Sequence, residues 1–105
     1  MGNKHPVGIF DSGVGGLTVV KAFLEQLPGE DFIYLGDTAH VPYGNKSEAQ
    51  LLQYARDIMA YFLERKVKAV LVACGTHSSV TLPKIQSDYP VPMVGIIRLN
   101  FRQGY

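Results

Sequence analysis

The chain has 105 residues, a formal net charge of +1, and 47% hydrophobic against 18% charged residues. That suffices for one domain with one core; it is too apolar for disorder, and its scattered Lys and Arg form no track for phosphates. The single cysteine excludes an internal disulfide and leaves too few thiols for the usual structural zinc sites.

Met1 to Pro6 leads straight into a strand, without the long apolar stretch of a signal peptide. Pro6 stands where a myristoylation motif wants Ser or Thr, and no apolar run has the length to span a bilayer. A cytoplasmic protein with neither membrane nor nucleic acid as partner is expected. Val7 to Phe10 predicts a short strand ending at Asp11. A glycine-rich turn from Ser12 to Gly16 follows, and then Leu17, Val20, Phe23, Leu24 and Leu27 recur at helical spacing until Pro28-Gly29 stops them. Phe32 to Leu35 is the second predicted strand, ending at Gly36-Asp37.

The connection Thr38-Ala-His-Val-Pro-Tyr-Gly-Asn45 is longer than a bare link requires, a common trait of loops that carry function. Ser47 is expected to cap the next helix with Gln50 in the capping-box position. Leu51, Ala55, Ile58 and Phe62 form its apolar stripe, Leu52, Met59 and Leu63 flank it, and Arg65-Lys66 fall in its last turn. Val70-Leu-Val-Ala73 is a continuous apolar run, the pattern of a parallel strand covered on both faces. Ser78 or Ser79 is predicted to cap a shorter helix reaching Ser87, with Pro83 near its first turn or kinking it. Met93 to Ile97 is a fourth strand, and Arg98 to Tyr105 reads as an irregular tail.

Strands alternating with helices imply right-handed βαβ units and a parallel sheet. The expected fold is therefore a flavodoxin-like three-layer α/β domain over residues 1–97, with four strands in the order 2-1-3-4. In that order strands 1 and 3 are neighbours at the switch point, so Asp11 and Cys74 face each other across the ligand crevice. Cys74 sits at a strand's carboxyl end before a helix, where the helix dipole favours a thiolate; its bland alternative is a small buried hydrophobe.

Other motifs carry less. Gly13-Val-Gly15 begins a dinucleotide fingerprint, but Thr18 replaces its third glycine, and Tyr43 to Ser47 lacks the glycine spacing of a phosphate loop. Cys74 and His77, with Asp37 and His40 from another strand-end loop, are weak metal candidates beside the plain reading of polar loop residues, so no metal is assigned.

Three stretches, Gly8-Ile-Phe-Asp-Ser-Gly-Val-Gly-Gly-Leu17, Gly36-Asp-Thr-Ala-His-Val-Pro-Tyr-Gly44 and Val72-Ala-Cys-Gly-Thr76, resemble the amino-terminal half of bacterial glutamate racemases. The resemblance covers about residues 7 to 97. It implies a cofactor-independent isomerase that interconverts L- and D-glutamate for peptidoglycan, with one cysteine from each of two similar domains on opposite sides of the substrate α-carbon. By this likeness Cys74 is the catalytic cysteine of the first domain. Asp11 and Ser12 contact the substrate, Pro42, Tyr43 and Gly44 form the loop that holds it, and the Thr76 hydroxyl meets its carboxylate. Gly75 stands where the family has asparagine, which removes an amide from the substrate position. The second domain, with its cysteine and Thr-His pair, has no counterpart here, so the half-chain alone is expected to be inactive. A fragment that binds a small carboxylate or a protein partner, a homodimer across the uncovered face, and another racemase such as one for aspartate or hydantoin are the alternatives.

Overall fold

The computed structural model describes residues 5–11, 17–41 and 43–95, of which 17–19 by backbone alone. Ser12, Pro42, the last two positions of the expected fourth strand and the tail from Arg98 lie outside the described residues.

Strands β1 (Val7–Asp11), β2 (Phe32–Gly36), β3 (Ala69–Val72) and β4 (Met93–Gly95) form one parallel sheet in the order β2-β1-β3-β4. The expected strand order is thus the observed one. Helix α1 (Leu17–Gln26) joins β1 to β2, and α2 (Glu48–Glu64) crosses from β2 over β1 to β3. Right-handed crossovers put α1 on one face of this sheet, and α2 with the helix after β3 on the other.

The core lies on the second face. Phe10, Val70, Val72 and Met93 point to it from the strands, Ala55, Ile58, Met59 and Phe62 from α2, and Leu82 and Ile85 from the last helix. Gly8 has a specific reason to lack a side chain: a Cβ there would lie 2.9 Å from the Phe62 ring. At the other end of the sheet Gly95 is equally constrained, because its Cβ would fall 2.1 Å from the Ser78 hydroxyl.

Ser47 caps α2 as expected. Its hydroxyl accepts from the Gln50 N–H at 3.1 Å, and the Gln50 side chain accepts from the Ser47 N–H at 2.8 Å. The basic pair falls just outside the helix rather than in its last turn. Arg65 is the C-cap, and Lys66 takes a left-handed φ of 58° that turns the chain toward β3.

Two further expectations are corrected. β3 is not covered on both faces: Val70 and Val72 are buried in the core, whereas Ala69 and Leu71, facing the α1 side, are half-buried. On the same face Val7, Ile9 and Asp11 of β1 are buried, while Tyr34 of β2 is exposed. The last helix also starts earlier than its serines suggested. The Ser78 N–H already donates to the Cys74 carbonyl at 2.9 Å, so Cys74 itself is the cap residue. Ser79 instead bonds back to the Gly75 carbonyl at 2.9 Å.

The cause of the last helix's irregular course is Pro83. It has no N–H and its ring crowds the carbonyl four residues earlier. The chain widens ahead of it into a π-turn, His77–Thr81, in which the Leu82 N–H reaches the His77 carbonyl. A short α segment, α3 (Leu82–Ile85), and a 3₁₀ turn, Gln86–Asp88, complete the connection.

Candidate active site

Parallel strands all end at the same edge, and here that edge carries Asp11 on β1, Asp37 just after β2 and Cys74 just after β3. The backbone ties them together. The Asp37 N–H donates to the Asp11 carbonyl at 2.8 Å, and the Ala73 N–H donates to the Phe10 carbonyl at 2.8 Å. Strand adjacency thus brings Asp11 and Cys74 to neighbouring positions at the switch point. Cys74 is buried at 7% exposure, where a thiol is shielded from bulk water.

The long connection after β2 folds as two 3₁₀ turns, Thr38–His40 and Tyr43–Asn45. Asp37 is their common anchor. Its Oδ1 lies 2.5 Å from His40 Nδ1, and its Oδ2 accepts from the Tyr43 hydroxyl at 2.8 Å. His40 in turn stacks on Tyr54 of α2, ring centroids 3.7 Å apart. Tyr43 is thereby delivered to the Cys74 edge. Burial, then the Asp37 hydrogen bond, then the charges of Asp37, Cys74 and Asp11 hold its phenol far above the ordinary tyrosine range. Tyr43 therefore stays a neutral donor, and its ring meets that of His77, three residues beyond Cys74, with centroids 4.9 Å apart.

Asp11 is the most buried carboxylate of the site, at 1% exposure, and its Oδ1 accepts from the Tyr34 hydroxyl at 2.7 Å. Burial and this bond to Asp11 push the Tyr34 phenol up to about 12. Sequence reasoning did not single out Tyr34. The usable signal was its register: Tyr34 pairs with Ile9, so it shares a sheet face with Asp11, one diagonal away. Asp37 and His40, considered above as metal ligands, are instead bonded to each other, and the described residues contain no group of three metal-ligating side chains.

Of the remaining expected site residues, Gly44 and Gly75 are exposed and Thr76 is half-buried in the first helical turn after Cys74. A Cβ at Gly75 would meet nothing within 4 Å, so the position is open.

His77 was not expected to be buried, yet it has 0% exposure. The Thr81 hydroxyl donates to the His77 carbonyl at 3.0 Å, which leaves its oxygen to accept from His77 Nδ1 at 2.9 Å. The proton is thus assigned to Nδ1, and Nε2 is left as a buried acceptor with no hydrogen-bond partner among the described residues. Burial lowers the imidazole to about 4, against a smaller opposing pull from Asp37.

A pH dependence of stability follows. The unfolded imidazole binds its proton near about pH 6.5, before the folded one does, so stability falls as pH drops from there to the folded value. Wild type is expected to lose roughly 2 kcal/mol between about pH 7 and about pH 5 through this group. Urea unfolding of wild type and His77→Gln checks it: the variant should lose that portion of the slope, and equal slopes would show that His77 does not titrate on unfolding.

No family model matches the chain. It is, however, 55% identical over 91 residues to the glutamate racemase of Carboxydothermus hydrogenoformans, an alignment covering 87% of this chain and 34% of that protein. Against the glutamate racemase of Thermus thermophilus it is 51% identical over 94 residues, 90% of this chain and 37% of the relative. The crystal structure of the Thermus enzyme in complex with beta-chloro-D-alanine superposes with a TM-score of 0.84. That of the Francisella tularensis glutamate racemase in complex with D-glutamate superposes with a TM-score of 0.82, at 40% identity over 90% of this chain and 36% of that one. The chain thus spans little more than a third of the length of the relatives it matches. No helix among the described residues is long and apolar enough to cross a membrane.

Proposed function

We propose that this chain, which belongs with the glutamate racemases by sequence and fold, carries one wall of a glutamate site in which Cys74 exchanges a proton with the substrate α-carbon. What supports the reading is the convergence of Asp11, Tyr43 and Cys74 at one edge of the sheet. The residues divide the work as follows. Cys74, as thiolate, takes the α-proton from one face. The α-proton is weakly acidic, so charge developing on the carbanion must be met by fixed donors. The N–H groups of the helical turn that starts at Cys74, the Thr76 hydroxyl and the loop from Pro42 to Gly44 supply them. Asp11 and Ser12 hold the polar end of the substrate.

Residues 1–97 form the racemase-like domain in this reading, 98–105 are a tail outside it, and two-base inversion calls for a second wall opposite Cys74. A second copy of the chain is one source, since two Cys74 thiols could then face one substrate. A cytoplasmic role in supplying D-glutamate to peptidoglycan is the corresponding cellular function. One observation favours a second reading, binding of a small carboxylate without catalysis: Gly75 offers only open space at the position of the family amide.

Protection of Cys74 from alkylation tests the site. L-Glutamate is expected to slow the reaction of Cys74 with a neutral alkylating reagent. Gly75→Asn, whose side chain enters open space, should lower the glutamate concentration needed by about tenfold, the worth of a restored hydrogen bond to a charged group. Absence of protection in both proteins would remove glutamate as the ligand.

A further inference from the structure

His77 joins the strand-end segments of the site through ring contacts to two of them from its place on the third. It lies on the helix that Cys74 caps, three residues along. Its ring meets Phe10 at the end of β1 edge-on, with centroids 4.9 Å apart and planes at 62°. On another side it meets Tyr43 of the long loop at 4.9 Å and 83°. Asp37, the anchor of that loop, is close enough to act on it electrostatically.

Plain packing does not explain a histidine here. A phenylalanine would present the same ring edges without burying a bare Nε2, whose lost solvation is a cost. What the imidazole adds is the Nδ1–H bond to Thr81, itself held by the His77 carbonyl. That closed pair fixes the rotation of the ring, which packing alone leaves free to flip, and the π-turn brings Thr81 to the required distance.

We propose that His77 is a positioning residue of this site: its Thr81-locked imidazole sets the Tyr43 ring, and with it the Tyr43–Asn45 turn, against the Cys74 end of the sheet. The assignment rests on reading Tyr43 and Cys74 as one site. None of its tests needs glutamate, so failure of glutamate protection and failure of this assignment are separate results.

The test uses the 105-residue chain in three forms: wild type, His77→Phe, which keeps the ring without the lock, and Thr81→Val, which removes the acceptor and keeps the shape. Nitrogen-15 spectra of wild type should show His77 protonated at Nδ1 and bare at Nε2 from about pH 8 to about pH 5.5, below the ordinary histidine midpoint. Both variants should alkylate at Cys74 about fivefold faster, and carbon-13 spectra should show Tyr43 starting to titrate nearer the ordinary value of about 10. His77→Phe should nonetheless be at least as stable as wild type, which separates positioning from structural support. An Nε2–H tautomer in wild type overturns the proposal. So do alkylation and Tyr43 titration unchanged in whichever variant folds.

Discussion

Phe62→Ala is expected to destabilise the chain by about 3 to 5 kcal/mol, the range for removing a buried aromatic from a packed core. Phe62 has 0% exposure and joins α2 to the sheet through the face of Gly8. Gly8 is present because the ring comes so close, and the cavity left by alanine is therefore walled partly by backbone, which cannot collapse into it. Domains of this size have about 5 to 15 kcal/mol in total, so much of the stability would go. The site would suffer with it, because α2 also carries Tyr54, on which His40 of the Asp37 network stacks. Urea denaturation followed by far-ultraviolet dichroism measures the effect. A loss below about 1 kcal/mol would mean that the α2 face is not the principal core.

Much of this architecture was legible in the residues. The apolar runs at Val7 and Val70 and the intervening helical stripes define the strand order, and that order alone puts Asp11 beside Cys74. The Ser47–Gln50 capping box was legible because its partners are three residues apart and need only local geometry. What escaped is side-chain bonding inside irregular backbone. Asp37 reaches Tyr43 across two 3₁₀ turns, and such turns impose no period from which the contact could be read. His77 looked like half of a Cys-x-x-His pair. The π-turn before Pro83 instead links it to Thr81, and a π-turn is set by where the chain can widen rather than by any spacing signal. The half-covered state of Leu71 escaped for another reason: a run of apolar residues records what a strand can bury, not what lies over it.

The second large effect expected is a loss of function rather than of stability: this chain alone does not invert glutamate. Inversion needs a base on one face of the α-carbon and an acid on the other, and the chain has one cysteine. A lone thiol that removes and returns a proton on the same face gives exchange with retention. Water reaching the open face can protonate it, but a wet site gives up the advantage of fixed, desolvated donors. In the proposed site, the exposed Gly75 would weaken the hold on glutamate further. Two copies apposed through their Cys74 edges would supply both thiols. The deciding measurement is the formation of D-glutamate from L-glutamate by the purified chain, followed by a stereospecific coupled assay beside a Cys74→Ala control. Equal, background-level rates in the two are the predicted result; turnover by the wild-type chain well above the control would contradict it, and would show that this chain, alone or paired with itself, is a complete racemase.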